Sequence, residues 1–208
     1  MEDLSIAKKC CGQRDIRTMT NDSRPLLNAG LFAESLRTAG SGRFASALLA
    51  ALNTAIAVDH CTIVRVCCDR ASIVGAASRH SQDFLVAPLD EYVAGYARLA
   101  PLVRELASSL ARQRNGPDAR SVVVDPTSHV ECVNRFFVRP MITDALSIAM
   151  PGDDTVSFLN LYRTVRIGPF QSHEQILIAS VGEFLATLTE MHIRLTTAPA
   201  APVESPHK

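Results

Sequence analysis

Residues 145–164 read ALSIAMPGDDTVSFLNLYRT. Side chains alternate between the two faces of a strand, so Leu146, Ile148 and Met150 share one face of the first half. In the second half Val156, Phe158, Asn160 and Tyr162 share a face. Pro151-Gly152-Asp153-Asp154 lies between them, a turn cluster that no strand or helix continues through. The stretch therefore predicts an antiparallel hairpin, Ala145–Met150 with Thr155–Thr164, joined by a slightly long loop. Directly after it Pro169 and Phe170 lead to Ser172, with Gln175 three residues on, the spacing of a capping box. A helix of about 22 residues should follow, over 173–194. Its apolar stripe is Leu177, Val181, Phe184, Leu185, Leu188, Met191 and Leu195. Each such side chain contributes ~1.5–3 kcal/mol when fully buried, so this helix should be a main wall of the core.

The same alternation of elements appears upstream. Phe44, Ala47, Leu48, Ala51, Leu52, Ala55 and Ile56 recur at helical spacing, with Ser41 as a candidate cap, and predict a helix over 41–58. Asp59-His60 turns the chain into a strand, Cys61–Cys68, whose faces are both largely apolar. Asp69-Arg70 connects it to a second strand over 71–78, completing another hairpin. Between the hairpins, Asp90 can cap a helix carrying Tyr92, Val93 and Tyr96. Pro101 opens one with Leu102, Val103, Leu106 and Leu110 on one side. Asn115-Gly116-Pro117-Asp118 is a turn, Ser121–Asp125 a short strand, and Ser128–Arg139 a helix bearing Val130, Val133, Phe136 and Phe137 that Pro140 ends. The order is helix, hairpin, helices, strand, helix, hairpin, long helix. It predicts an α+β domain with a five-stranded antiparallel sheet. Its long terminal helices would lie on one face and its shorter helices on the other.

Composition bounds what such a domain can do. The chain has 208 residues, 47% apolar and 20% charged, with 21 basic and 21 acidic residues and no net charge. Binding to nucleic acid is driven by release of counterions from a basic face, which this balance does not supply, so direct nucleic-acid binding is not expected. Met1–Cys11 has Lys8 and Lys9 but no apolar run behind them, as a signal peptide needs. No uninterrupted apolar stretch of ~20 residues suggests a membrane span. A cytoplasmic protein is the expectation, with its cysteines as free thiols. Residues 1–28 read as a flexible arm, 29–195 as the folded domain and 196–208, with Pro199, Pro202 and Pro206, as an extended tail or linker.

Several residues that shape this reading also carry a resemblance. Asp59-His60-Cys61 enters a strand, and the middle segment reads Tyr92-Val93-Ala94-Gly95-Tyr96-Ala97-Arg98-Leu99-Ala100-Pro101. Leu161-Tyr162-Arg163 and Gly168-Pro169-Phe170 then precede a long helix. In this order and spacing, over residues 41–195, they resemble the GAF-like N-terminal sensory domain of LuxR-type bacterial transcriptional regulators. The resemblance implies a GAF/PAS-like fold and a cytosolic sensory module that binds a small molecule or mediates dimerisation. Two departures stand out. Ala100 occupies the position before Pro101 where the family usually carries Asp, and the chain has no Trp. The autoinducer-binding branch relies on both, so the resemblance does not extend to an acyl-homoserine lactone ligand. The helix-turn-helix domain that the resemblance leads one to expect after the long helix does not follow in this sequence, which reads as a module without its own DNA-binding domain: a stand-alone sensor, a truncated regulator or an isolated domain.

The candidate ligand-binding residues are Tyr92, Tyr96, Phe136, Phe137, Arg139 and Cys61. Tyr92 and Tyr96, four apart on a helix, point the same way, and amphipathic aromatics supply stacking area and a hydroxyl handle. A small apolar ligand with one or two polar groups would suit them; the same aromatics serve equally as packing between helices and sheet. Cys61 and Cys67 share a strand face with Arg65, the cationic neighbour that a thiol sensor needs, whereas a buried cysteine behaves as a small hydrophobe. His129 and Cys132 can meet on a helix but lack a third orienting group, and no spacing suits a zinc site. No catalytic site, cofactor or metal is expected. The partner expected is a second copy or a related regulator, and a ligand-free interaction module resembling an antiactivator is the alternative reading.

Overall fold

The structure is a computed structural model that describes residues 12–14, 29–67, 70–80, 118–123, 141–152 and 155–197; residues 12–14 and 118–123 are described through their strand pairing. In chain order the elements are β1 (Gly12–Arg14), a 3-10 turn (Ala29–Phe32), α1 (Ala33–Arg37), α2 (Phe44–Leu52), β2 (His60–Cys67), β3 (Arg70–Ser78), β4 (Asp118–Val123), β5 (Ile142–Pro151), β6 (Thr155–Thr164) and α3 (Ser172–Thr197). The strands form one open antiparallel sheet in the order β1-β4-β5-β6-β2-β3. Both expected hairpins are present, and β6 pairs with β2 to join them at the centre. The strand count is six, not five, among the described residues. The addition is β1, which comes from the stretch read as an arm and pairs Gly12, Gln13 and Arg14 with Val123, Val122 and Ser121. Three residues, one a glycine, are too few to show a period-2 pattern. The strand expected at Ser121–Asp125 begins three residues earlier, at Asp118.

Alternation in the sheet builds two apolar layers. Cys61 and Ile63 of β2, Leu146, Ile148 and Met150 of β5, and Leu159 and Leu161 of β6 point to one side, where α2 and α3 pack on them. The two terminal helices thus lie on the same face. On the other side Val64, Val66, Ala149, Val156 and Phe158 form a smaller cluster, joined by Ala71 and Ile73. The expected middle helices, with Tyr92, Tyr96, Phe136, Phe137 and Arg139, fall outside the described residues.

α2 is shorter than the periodicity suggested, stopping at Leu52. Asn53 closes it: its amide Nδ2–H groups donate to the carbonyls of Leu49 (2.8 Å) and Val58 (2.9 Å), and its Oδ1 accepts the Val58 N–H (3.1 Å). One side chain satisfies both helix end and exit loop, so the apolar residues Ala55 and Ile56 continue as a turn.

In α3 the buried seam is rotated relative to the stripe read from sequence. Ile178, Gly182, Leu185, Ala186, Thr189 and His192 are buried together with Leu177, Leu188 and Ile193. Phe184 and Leu195 are 44% and 56% exposed. An apolar stripe wider than the sheet contact leaves one flank outside it. α3 is long and apolar enough to cross a membrane, with a mean hydropathy of 1.4, yet half of that stretch is buried in the fold, as in a core helix.

Candidate functional site

Two polar clusters break the apolar layers. The first lies where β2 begins, β6 ends and α3 starts, and it contains the motif residues Asp59, Arg163, Pro169 and Phe170. The Asp59 side chain is 1% exposed. Its Oδ2 accepts from the backbone N–H (2.8 Å) and hydroxyl (2.7 Å) of Thr164, and its Oδ1 lies 2.9 Å from His80 Nε2. Burial works to raise the Asp59 pKa, but the Thr164 hydrogen bonds and His80 outweigh it and hold the carboxyl below its usual value. Arg163 donates from Nε to the Ala57 carbonyl (2.6 Å) and from Nη1 to the Pro169 carbonyl (3.1 Å). It meets Glu174 in a bidentate pair at 2.8 and 2.5 Å, with its guanidinium 4.2 Å above the Phe170 ring. Glu174 resists the upward push of burial in the same way, through Arg163 and the Gln171 N–H, and its pKa is lowered. Asp144 accepts the N–H groups of Ala145 (2.8 Å) and Phe170 (2.9 Å).

This cluster fastens the start of α3 to the end of the sheet. The helix cap is one residue earlier than Ser172 and Gln175 suggested. Gln171 N–H donates to Glu174 Oε2 at 2.8 Å, while Gln175 Nε2 donates to the Phe170 carbonyl at 2.9 Å. A carboxylate at this third position also meets the positive end of the helix dipole.

The second cluster is a ladder across the middle of the sheet, on the face away from α2 and α3. The pairings His60↔Tyr162, Thr62↔Asn160 and Ser147↔Asn160 put these side chains on one surface. Ser147 Oγ–H donates to Asn160 Oδ1 at 2.7 Å, Asn160 Nδ2–H donates to Thr62 Oγ1 at 3.2 Å, and Thr62 Oγ1 lies 3.3 Å from Tyr162 Oη, where either hydroxyl can donate. At the end of the row His60 Nδ1 is 2.8 Å from Ser78 Oγ. Thr62, Asn160, Tyr162 and His60 are all buried. Desolvation, which disfavours the charged ring, lowers the His60 pKa to about 4 despite the attraction of Asp59, so His60 is neutral near pH 7. Along the strands the ladder gives way to Val64, Phe158, Ala149, Val66 and Val156. The surface thus has a polar end of hydroxyls, a carboxamide and a phenol, and an apolar end of aliphatic groups and one ring.

Among the described residues this surface carries no complete Ser–His–Asp relay. Ser78 and His60 are in contact, but Asp59 spends both oxygens on His80 and Thr164, and an imidazole with a pKa near 4 is a weak base at neutral pH. Among the described residues no three His, Cys, Asp or Glu side chains are placed to hold a metal ion.

Of the site residues expected from sequence, Tyr92, Tyr96, Phe136, Phe137 and Arg139 lie outside the described residues, as do His129 and Cys132. Cys61 is described, and it belongs to the helix-side core. It is fully buried, its thiol 3.5 Å from the Ala45 carbonyl, and burial pushes its pKa up to about 12. Alternation directs it away from the ladder, so it packs α2 rather than facing Asn160 and Tyr162. Sequence reasoning placed Asn160 and Tyr162 on one face with Val156 and Phe158, but passed over Thr62 and Ser147. The available signal was a small polar residue at the same alternation phase in each of three strands, which becomes a cluster only once register is known.

No protein-family model and no curated protein matches the chain. Solved structures do. The ligand-binding domain of VqsR from Pseudomonas aeruginosa superposes with a TM-score of 0.60 at 15% identity, over 80% of this chain and 96% of that one. The N-acylhomoserine lactone-dependent LuxR-family transcription factor CepR2 from Burkholderia cenocepacia gives 0.51 at 15% identity, over 82% and 93%. At this identity the likeness is one of fold: the chain has the fold of LuxR-family ligand-binding domains.

Proposed function

We propose that the chain is a GAF-like sensory module related to LuxR-type regulators, responding to a small amphipathic molecule held against the sheet face that carries the Ser147–Asn160–Thr62–Tyr162 ladder. The observation that carries this reading is the ladder itself. A buried row of polar side chains amid aliphatic ones costs stability relative to an apolar face unless every group is satisfied. A recognition surface is a reason to keep it, and ligand sites are characteristically apolar with a few placed polar groups. Tyr92, Tyr96, Phe136, Phe137 and Arg139 are proposed to complete the site from the other side, the tyrosine hydroxyls or Arg139 meeting a polar group of the ligand. Without Trp and with Ala100 before Pro101, an acyl-homoserine lactone is not the ligand favoured. The module is proposed to act in the cytoplasm.

A thermal-shift panel of small amphipathic molecules tests the reading. At a hundred times its Kd a ligand adds ~2.7 kcal/mol, which raises the melting temperature of a domain this size by about 5–10 °C. Asn160→Leu should abolish the shift while the protein still melts cooperatively, and Tyr96→Ala should weaken binding more than it lowers the melting temperature. A panel without any shift, or a shift that survives Asn160→Leu, counts against the reading and favours a ligand-free interaction module.

One observation supports the dimerising side. Leu36, Phe184 and Leu195 are 57%, 44% and 56% exposed on the helix layer. Pairing with a second copy or a related regulator would cover them. A strict monomer in sedimentation at high micromolar concentration removes that part.

A further inference from the structure

We propose that the free edge of β3 is a docking site for an extended, acid-flanked segment of another protein, which would add to the sheet as a further strand. Among the described residues β3 is the terminal strand of the sheet, with β2 as its one neighbour. It spans nine residues, Arg70–Ser78, without proline or lysine. Its alternate N–H and C=O groups face away from β2; among the described residues no further strand pairs with them, and at the bulge the Val74 backbone meets His192 of α3. Edges of this length are usually blunted by proline, inward charge or a covering element. Among the described residues none of these is present; the strand carries instead a bulge, where register shifts between Ile63 and Val64 and leaves Val74 without a β2 partner. Side chains along the strand are half-buried, so the edge is accessible but not wholly polar.

Charge selects the occupant. Arg70 and Arg79 are exposed at the two ends of the strand, and among the described residues neither has a carboxylate within ion-pair range. Glu34, Asp59, Glu174 and Glu190, the described carboxylates that form ion pairs, have their partners elsewhere. A second copy is a poor fit. Two-fold pairing of β3 with itself is antiparallel, and in its fully overlapped register it sets Arg70 of one copy beside Arg79 of the other. Like charges opposite one another across strands are destabilising. An extended segment with acidic residues at both ends and alternating small apolar side chains between them meets both arginines and both faces of the strand.

The test uses the full chain and two synthetic peptides of alternating valine and threonine, one with two glutamates at each end and one with two lysines. Fluorescence anisotropy at low salt should show the glutamate peptide binding at least about tenfold tighter, since each tenfold is 1.4 kcal/mol, with the gap shrinking at high salt. Bound peptide should slow amide exchange within residues 70–78. The double variant Arg70→Glu/Arg79→Glu alters exposed residues, so it should melt like the parent and reverse the preference. Equal binding of both peptides, no binding of either, or protection confined to other strands overturns the proposal. So does self-association that protects 70–78, which would give the edge to a second copy.

Discussion

Arg163 shows how much of the fold can depend on one side chain. Its guanidinium joins Ala57 before β2, Pro169 after β6 and Glu174 in the first turn of α3, and it is 3% exposed at the side chain. Breaking such a buried pair by removing one partner strands the other charge, at a cost of about 3–5 kcal/mol, against a total stability of ~5–15 kcal/mol. Arg163→Met should therefore lose about that much in urea unfolding. Arg163→Lys keeps the charge without the planar fork and should fall in between. A loss under about 1 kcal/mol for the methionine variant would mean that the start of α3 is held by other contacts. The sequence marked Leu161-Tyr162-Arg163 as a motif but could not reveal its task. The partners of Arg163 come from three separate segments, and local periodicity carries no information about such a meeting. The ladder was hidden for the same reason: Ser147, Asn160 and Thr62 look like ordinary strand residues until β6 is known to lie between β5 and β2.

Among the elements, α3 separates pattern from packing most clearly. Phe184 and Leu188 are one turn apart and belong to the same stripe by spacing. In the structure Leu188 is 4% exposed and Phe184 44%, edge-on to Phe32 at 5.2 Å. An aspartate at 188 would sit desolvated and unpaired, costing several kcal/mol, so Leu188→Asp should abolish cooperative melting. Phe184→Asp can leave its carboxylate in water and should lose about 1–2 kcal/mol of packing. Circular dichroism melts of the two variants decide the matter; similar melts would show that the seam lies elsewhere. The hairpins and the long helix were legible because each carries its own period over ten or more residues. β1 was not, since a three-residue edge strand is defined by its pairing with β4 and by nothing within itself.

For the molecule as a whole, two buried imidazoles set an expectation for acid. His192 lies stacked on Phe44 at 4.2 Å and accepts the Gly40 N–H on Nδ1 at 3.0 Å, so its neutral form is the one that fits. Burial lowers its pKa, and burial lowers that of His60 to about 4. In the unfolded chain both rings titrate near 6.5. Below about 6.5, until each folded ring is itself protonated, the unfolded state binds more protons than the folded one, so stability falls as the pH falls. Above about 6.5 the neutral rings cost nothing; from there down to about 4 the His60 imidazole removes up to ~1.4 kcal/mol per pH unit, and His192 acts in the same direction. The carboxylates of Asp59 and Glu174 act in a lower window. Their folded pKa values lie below the ordinary 3.8 and 4.5, so their contribution is intact at pH 5 and lost only at more acidic pH. The urea midpoint should therefore be flat from pH 8 to 7, decline from about 6.5, and steepen again below about 4.5. A His60→Gln/His192→Asn variant keeps hydrogen-bonding side chains at both positions without a titrating ring. It should begin less stable, because amides do not reproduce the ring stacking, yet hold a constant midpoint between pH 6.5 and 5 where the parent declines. A parent midpoint that stays level across that interval, or a variant that declines as steeply as the parent, would place the acid sensitivity in the carboxylate cluster around Arg163 instead.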